Sequence, residues 1–271
     1  MQDSFGYQQA CDWINAVEER VSGGFVDYFR IHKIRYMNTF QALGHVPIEA
    51  PPRSVLDLAG AGMFTGLARQ RLGAENLCFT HFEQDDRVAL GDTDRLRLLP
   101  LDLSDTLHRA VRWDFDGACE EPGDGGFDLI FALEVIEHIA TDPARFLREA
   151  RRLLSPRGYM LLTTPNICSL GALERIIGYQ NPISYPFFKK NRSSDRHNTE
   201  YTVAQLTSLI EQSGMDVIRA YTVDSWSVPS LAVLNFCRHG GISLDGRGDN
   251  IIVVCRRADR DPVEFPDGLY D

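Results

Sequence analysis

The sequence lacks long apolar runs and clustered cysteines. No stretch of the 271-residue chain approaches the roughly 18 consecutive apolar residues that a membrane-spanning helix needs. The first twenty residues lack the basic and then apolar regions of a signal peptide, so we expect a cytoplasmic protein. The six cysteines lie far apart, without a Cys-x-x-Cys pair or paired histidines nearby. We therefore expect buried thiols rather than a disulfide framework or a zinc site, and no metal.

Positive charge is also scarce. The formal net charge of −10 argues against a duplex nucleic-acid substrate, which would favour a basic face. Only three of the 28 basic residues are lysines, and two of these, Lys189 and Lys190, are adjacent. An arginine-rich, lysine-poor composition is typical of a GC-rich bacterial genome, and it is compatible with secondary metabolism or glycan biosynthesis.

From residue 54 onward, apolar strand patterns alternate with amphipathic helical patterns. Strands are predicted at 54–59, 77–83, 96–101, 127–133, 159–164, 215–223 and 250–256. Helices are predicted at 7–20, 25–43, 64–72, 104–113, 143–154 and from the capping box Thr202–Gln205 to Gly214. This order predicts a doubly wound α/β fold with a mostly parallel sheet. We expect an N-terminal helical cap at residues 1–50, and a single structural domain in which 51–271 carry the sheet.

Four strand ends carry groups suited to a nucleotide-like ligand, which in such folds binds at the carboxyl ends of the strands. They are Asp57 with the loop Ala59-Gly60-Ala61-Gly62, Glu83, Asp102-Leu103 and Leu133-Glu134. Small residues after a strand let the backbone approach a ligand closely and open a helix N-terminus. A carboxylate some twenty residues later can accept hydrogen bonds from both hydroxyls of a ribose. A further carboxylate can hydrogen-bond the edge of a purine, and the apolar side chain next to it can pack against the purine's face.

Two longer stretches carry a family resemblance. "FDLIFALEVIEHIATDPARFLREARRLLSPRGYMLLTTPN" (127–166) closely resembles class I S-adenosylmethionine-dependent methyltransferases, in particular the branch with ubiquinone-biosynthesis O-methyltransferases and glycan-modifying enzymes. "HNTEYTVAQLTSLIEQSGMDV" (197–217) is similar to the same branch. The resemblance implies a Rossmann-like, seven-stranded sheet that ends in an antiparallel hairpin. It also implies S-adenosylmethionine as the cofactor.

Position by position, the resemblance assigns roles to the four strand ends. Asp57 and the loop Ala59, Gly60, Ala61 and Gly62 would hold the methionine part of the cofactor. Glu83 would hold the ribose, and Asp102 and Leu103 would flank the adenine. Ala132, Leu133 and Glu134 would line the methyl donor.

The loop after Asp57 departs from the family pattern of three alternating glycines. A gap-free alignment from Asp57 puts Ala59, Ala61 and Met63 at the glycine positions. Because alanine adds a single methyl group and tolerates turns with negative φ, we interpret the loop as a working variant. A nicotinamide-binding spacing of glycines is the rival interpretation. It is disfavoured because Asp57 interrupts the apolar strand and no Tyr-x-x-x-Lys follows.

Candidate residues for chemistry and for the acceptor lie after residue 134. His138 and His197 are candidate general bases, although each also fits a packing or loop-holding role. Residues 166–200 are expected to form an acceptor lid. The candidate acceptor-binding residues are Tyr185, Lys189, Lys190, Arg192, Arg196 and Tyr201. The basic group could bind a phosphate on the acceptor, touch an anionic membrane surface, or be an ordinary solvated turn.

Together, these features predict a metal-independent methyltransferase that uses S-adenosylmethionine. The predicted acceptor is a hydroxyl group of a sugar, a glycan, or a glycosylated or lipid-linked metabolite. Methylation of an amino sugar, methylation of a quinone or other natural product, and a silent methyltransferase-like binding module remain alternatives. The sequence leaves the acceptor's identity and the oligomeric state open.

Overall fold

The computed structural model describes residues 5–21, 25–58, 63–81, 88–89, 97–98, 109–113, 115, 118–119, 125–187 and 196–269. The helices are α1 (Tyr7–Glu18), α2 (Phe25–Ile31), α3 (Lys33–Leu43), α4 (Met63–Leu72), α5 (Pro143–Leu153), α6 (Leu170–Ile177), α7 (Val203–Gln212) and α8 (Leu231–His239). The strands are β1 (Ser54–Leu58), β2 (Asn76–His81), β3 (Val88–Ala89), β4 (Arg97–Leu98), β5 (Arg109–Arg112), β6 (Phe127–Leu133), β7 (Leu154–Pro165), β8 (Met215–Val223) and β9 (Asn250–Arg257). A 3-10 turn, Ile136–His138, follows β6.

Seven of the strands form one sheet in the order β5-β2-β1-β6-β7-β9-β8. The strands from β5 to β7 run parallel, whereas β9 is antiparallel to both β7 and β8. The predicted fold class, a mostly parallel Rossmann-like sheet with a C-terminal antiparallel hairpin, is confirmed. This order places the carboxyl ends of β1, β6 and β7 side by side in the middle of the sheet.

Helices cover both faces of the sheet. On one face, Trp13 of α1 packs against Phe40 of α3 and Phe64 of α4, with ring centroids 5.2 and 5.5 Å apart. Phe64 in turn lies 5.7 Å from Phe131 of β6, so the N-terminal helices share a core with the sheet. On the other face, α5 and α7 bury residues such as Phe146. Removing this apolar surface from water stabilises both layers by about 25 cal/mol per Å².

The predicted strands at β1, β2, β6, β8 and β9 are confirmed, as are α1, α4, α5 and α7, with small shifts at their ends. The capping box is present: Thr202 accepts a hydrogen bond from the N–H of Gln205, whose side chain accepts one from the N–H of Thr202. Leu154 directly continues from α5 into β7, so this strand is longer than predicted.

Three predictions of secondary structure are wrong. Residues 109–112 were expected at the end of a helix, but they form the strand β5 and pair with β2. Of the strand expected at 96–101, the described residues 97–98 form β4, which pairs with β3 outside the main sheet. The long loop expected between β8 and β9 contains α8. Segments as short as β4 and β5 hold too few residues for hydrophobic periodicity to distinguish a strand from a helix. Long-range pairing determines their structure instead.

Among the described residues, no helix is both long enough and apolar enough to cross a membrane.

Candidate active site

The carboxyl ends of the central strands bring together part of the predicted cofactor site. Asp57 is buried near the end of β1 and is paired in register with Phe131 of β6. Ala132 lies between Leu58 of β1 and the neighbouring strand β7, and Leu133 is opposite Thr163 of β7. Asp57, Ala132, Leu133 and Glu134 therefore converge on one edge of the sheet.

The other predicted cofactor residues cannot be placed in the same way. Ala59, Gly60, Ala61, Gly62, Glu83, Asp102 and Leu103 lie outside the described residues. Asp102 and Leu103 were expected after the strand predicted at 96–101, of which the described residues form β4 outside the main sheet. The strand beside β2 is β5, at 109–112, and it comes after both residues in the chain.

Glu134 has an unusual backbone that ends β6. Its φ is 58°, in the left-handed region that non-glycine residues rarely adopt. Its N–H donates to the carbonyl of Thr163 at 2.9 Å. Its carboxylate accepts hydrogen bonds from Thr163 Oγ1 at 2.7 Å and Asn250 Nδ2 at 2.8 Å. These bonds hold a conformation that costs about 1–3 kcal/mol and direct the chain into the 3-10 turn.

Arg35 brings a positive charge from α3 to the same region, and the sequence analysis missed it. The side chain is buried, with its Cζ atom 4.8 Å from the ring centroid of Tyr36. Burial opposes its charge, but attraction from the phenols of Tyr36 and Tyr28 and from Glu134 outweighs this and raises the guanidinium pKa. The four-residue spacing of Arg35, Thr39 and Leu43, all on the buried face of α3, is the signal that could have found it.

Four side chains from two separate segments form a histidine cluster. They are Glu137 and His138 in the 3-10 turn, and His197 and Glu200 before α7. His138 Nε2 lies 3.9 Å from Glu137 Oε1. His197 Nδ1 lies 2.7 Å from Glu200 Oε1, which also accepts a hydrogen bond from the N–H of Ser184. The two imidazole centroids are 4.9 Å apart. The structure thus joins both predicted bases in one site, together with two carboxyl groups that the sequence analysis did not assign.

Hydrogen bonds to the backbone fix the two segments against each other. The N–H of Asn198 donates to the carbonyl of Glu137 at 2.7 Å, and its side-chain amide donates to the carbonyl of His138 at 2.9 Å. His138 Nδ1 lies 3.1 Å from the carbonyl of Arg196. These contacts fix the imidazole of His138 and hold the 3-10 turn against the segment that carries His197.

Glu137 is the most deeply buried member of the histidine cluster, with no exposed surface. Its Oε2 accepts a hydrogen bond from Thr164 Oγ1 at 2.9 Å, whereas Oε1 has no hydrogen-bond partner among the described residues. Burial, and to a smaller degree the charge of Glu134, raise the pKa of Glu137 well above its ordinary value. The hydrogen bond from Thr164 and the charge of Arg35 partly offset this rise.

Two of the predicted acceptor-binding residues lie beside the histidine cluster. The ring of Tyr185 is more than half exposed, and its centroid is 5.0 Å from that of His197. Arg196 supplies the carbonyl that contacts His138. Tyr201 is instead buried in the core, where burial raises its phenol pKa. Lys189, Lys190 and Arg192 lie outside the described residues.

The predicted lid starts and ends at one point of the fold. Asn166, directly after β7, forms a parallel bridge with Tyr201, and the N–H of Ile167 donates to the carbonyl of Tyr201 at 3.1 Å. Between these residues, α6 buries Leu170 and Ala172. Further large apolar side chains of the segment are exposed to solvent: Ile176, Ile177, Tyr179, Tyr185 and Phe187.

Comparison with known proteins identifies the family. Residues 29–220 match the model of a methyltransferase domain. The chain is 32% identical over 124 residues to a Mycolicibacterium smegmatis protein named "Probable S-adenosylmethionine-dependent methyltransferase", covering 46% of this chain and 41% of that protein. It is 46% identical over 110 residues to a ubiquinone biosynthesis O-methyltransferase of Azorhizobium caulinodans, covering 40% and 42%. The chain thus spans about two fifths of the length of these curated relatives.

A solved methyltransferase structure has a similar fold. The crystal structure of an S-adenosylmethionine-dependent methyltransferase from Mesorhizobium loti aligns with a TM-score of 0.50 at 19% identity, over 80% of this chain and 95% of that one. At this identity the match concerns the fold alone. Together with the domain match, which covers more than half of the chain, it leads to one conclusion: the chain belongs to the S-adenosylmethionine-dependent methyltransferases.

Proposed function

We propose that this chain transfers the methyl group of S-adenosylmethionine to a hydroxyl group of a small molecule. The observation that carries the proposal is the histidine cluster, which lies next to the ends of β6 and β7. Ligands of parallel α/β sheets bind at this edge. Paired imidazole and carboxyl groups there suit an acceptor atom that must lose a proton as it reacts.

The cofactor would lie across the ends of β1 and β6. Asp57, Ala132, Leu133 and Glu134 are the described residues proposed to border it. The loop Ala59–Gly62, Glu83, Asp102 and Leu103 complete the proposed set by family resemblance. Arg35 would add a positive charge to an edge otherwise rich in carboxyl groups.

Methyl transfer is an in-line displacement in which the C–S bond breaks as the O–C bond forms. The products are S-adenosylhomocysteine and a methyl ether, and the hydroxyl proton leaves the acceptor. Holding the acceptor oxygen, methyl carbon and sulfur in line accounts for much of such a rate enhancement, up to roughly 7–11 kcal/mol. An amine acceptor would have less need of groups that help to remove a proton. The histidine cluster therefore favours oxygen over nitrogen.

The exposed aromatic residues of the lid suggest an acceptor with a ring or other apolar portion. Tyr185 already contacts His197, so such a group could lie against it while its hydroxyl faces the histidine cluster. The basic residues Lys189, Lys190, Arg192 and Arg196 favour an acceptor that also carries a phosphate, as a nucleotide-linked or lipid-linked sugar does. The similarity to ubiquinone biosynthesis O-methyltransferases supports a hydroxyl acceptor, and it makes a quinone precursor the alternative.

Calorimetric titration with S-adenosylmethionine and S-adenosylhomocysteine tests the cofactor part, with NADH and NADPH as controls. We expect micromolar binding of the first two ligands and none of the nicotinamide cofactors. Asp57→Asn should weaken this binding at least tenfold, whereas Asp267→Asn, an exposed carboxylate near the C-terminus, should not. Failure of the wild type to bind would instead favour the silent binding module.

Transfer of a labelled methyl group tests the acceptor part. Matched pairs of compounds that differ only in a hydroxyl or an amino group should be methylated on oxygen, and mass spectrometry identifies the modified atom. Replacing Lys189, Lys190, Arg192 and Arg196 together by glutamine should raise KM for phosphate-bearing acceptors and leave KM for uncharged ones unchanged. Exclusive methylation of amines would refute the hydroxyl assignment, and an unchanged KM would refute the phosphate assignment.

A further inference from the structure

Three aromatic side chains meet where the N-terminal helices face the chain after β8. Trp226 Nε1 donates a hydrogen bond to His32 Nδ1 at 3.0 Å, and the ring of Tyr28 lies 4.2 Å from that of His32. We propose that Tyr28, His32 and Trp226, the aromatic trio, bind a flat and uncharged ring that carries an oxygen atom at its edge. That this ring belongs to the methyl acceptor rests on the proposed function.

Hydrogen bonds tie Trp226 to the edge of the sheet that holds the candidate active site. Asp249, just before β9, accepts from the three successive backbone N–H groups of residues 225–227, at 2.7, 3.0 and 2.8 Å. The next residue, Asn250, donates to the carboxylate of Glu134 at 2.8 Å. Trp226 is therefore connected through two adjacent residues to the carboxyl end of β6.

The N-terminal helices hold the other two rings at the same edge. Asn38 of α3 donates to the carbonyl of Asp224 at 3.1 Å, so this helix is fixed to the chain that follows β8. The buried guanidinium of Arg35 interacts electrostatically with both Tyr28 and Glu134. Arg35 therefore lies within electrostatic reach of the aromatic trio and of the end of β6.

Two rings of the aromatic trio are open to solvent although their neighbours hold them in place. Trp226 is 37% exposed and Tyr28 is 46% exposed, whereas the other tryptophans, Trp13 and Trp113, are 5% and 2% exposed. Flat rings pack favourably against aromatic side chains in stacked or edge-on arrangements. Because the contact with His32 already orders Trp226, a ligand would not have to order this side chain on binding.

The imidazole of His32 supplies the independent evidence, because its tautomer is fixed. The indole N–H of Trp226 can only donate, so His32 Nδ1 must accept and the proton must lie on Nε2. Burial, and to a smaller degree the charge of Arg35, lower the pKa of His32 to about 3, so the ring is neutral at neutral pH. Its Nε2 has no hydrogen-bond partner among the described residues. His32 thus offers one uncharged N–H donor beside two aromatic rings, which suits a neutral oxygen acceptor.

Two kinds of acceptor carry a ring of this type. The pyrimidine base of a nucleotide-linked sugar has carbonyl oxygens at its edge, and its sugar would then extend toward the histidine cluster. A phenol or a quinone carries its oxygen in the plane of the ring in the same way. A saturated sugar ring is not flat, so we do not expect the aromatic trio to bind the sugar itself.

Nuclear magnetic resonance on the full, isotope-labelled chain measures binding at the aromatic trio directly. The sequence has three tryptophans, so three indole N–H signals are expected, and Trp226→Phe identifies the signal of Trp226. Protein saturated with S-adenosylhomocysteine is titrated with uridine, with p-methoxyphenol and with methyl glucoside. We expect the Trp226 signal to shift saturably with at least one of the two flat compounds and not with methyl glucoside. The signals of Trp13 and Trp113 should stay in place, and the flat compound that binds distinguishes a base from a phenolic ring.

Two variants of His32 test the role of its N–H donor. His32→Phe keeps a ring but removes the donor, so we expect affinity for the flat compound to fall roughly three- to tenfold. His32→Gln keeps an oxygen that can accept from Trp226 and an N–H group that can donate, so its affinity should stay within about threefold of wild type. Phe265→Leu, which removes an exposed aromatic ring from the C-terminal segment, is the matched control and should bind like wild type.

Circular dichroism establishes that each variant is folded, and the wild-type titrations decide the matter even if His32→Phe does not fold. A wild type that binds S-adenosylhomocysteine but whose Trp226 signal responds to neither flat compound would overturn the inference. Equal binding of methyl glucoside would also overturn it, as would a folded His32→Phe that binds the flat compound as tightly as wild type. A saturable shift of the Trp226 signal without binding of S-adenosylhomocysteine would refute the proposed function and leave the ring site standing.

Discussion

Lowering the pH below about 6.5 should destabilise this protein through His32, which lies between α2 and α3. Trp226 Nε1 donates a hydrogen bond to His32 Nδ1 at 3.0 Å, and the ring of Tyr28 lies 4.2 Å away. Burial, with a smaller contribution from the charge of Arg35, lowers the pKa of His32 to about 3. The folded protein therefore keeps this imidazole neutral at pH 5, where an unfolded chain would protonate it.

The size of the effect follows from proton linkage. Between pH 6.5 and pH 3 the unfolded state binds one more proton than the folded state at His32, so stability falls as the pH falls. For pKa values of about 6.5 unfolded and about 3 folded, the loss between pH 7.5 and pH 5.0 is about 2 kcal/mol. Because the ring is partly accessible to solvent, about 1–2 kcal/mol is the expected range.

Urea unfolding of wild type and His32→Gln at pH 7.5, 6.5, 5.5 and 5.0 measures this loss. Glutamine retains an oxygen that can accept from Trp226 but cannot take up a proton. The difference in unfolding free energy between the two proteins should therefore shift by about 1–2 kcal/mol across the series, in favour of His32→Gln at low pH. His239→Gln serves as the exposed control and should show no such shift. Parallel curves for wild type and His32→Gln would refute the reasoning.

Two further predictions concern single positions of the fold. A Cβ atom added at Gly248 would lie 2.6 Å from the backbone of Val223, so Gly248→Ala should lower the unfolding free energy by about 1–3 kcal/mol. Gly178→Ala, where the nearest atom would be at 3.4 Å, is the control, and equal stabilities of the two variants would contradict the clash. Thr202→Ala removes the side-chain half of the capping box with Gln205 and should cost about 1 kcal/mol in thermal or urea unfolding. Thr202→Ser should retain most of that stability, and a loss as large as that of alanine would argue against the cap.

The parts of the fold that could be predicted are those with a strong local pattern. The continuous apolar run of β6 and the capping signals of α5 and α7 each lie within about a dozen residues, so the sequence itself specifies them. β5 is different because it has only four residues, and its pairing with β2 decides its conformation. Local propensity is a weak guide where a long-range partner determines the structure.

The residues of the candidate site also fall into two groups, those placed by a local sequence pattern and those brought together by long-range contacts. The location of Asp57 and Glu134 at the carboxyl edge of the sheet could be predicted because each stands at the end of a recognisable strand. The contact between His138 and His197 depends on how the chain returns after the lid, and no spacing in the sequence encodes it. Arg35 was missed because it lies in the N-terminal helices, and these were expected to serve only as a cap.

The closed base of the lid has a consequence for how substrate choice could evolve. Since Asn166 and Tyr201 are bridged, residues 167–200 leave and re-enter the fold at one point. Lengthening such a segment costs little loop-closure entropy, about 0.6 kcal/mol for each doubling of its length. His197 and Glu200 lie at the returning end, where Asn198 holds the chain to the 3-10 turn. New acceptors could therefore be gained by replacing residues 168–183, while the sheet and the histidine cluster stay in place.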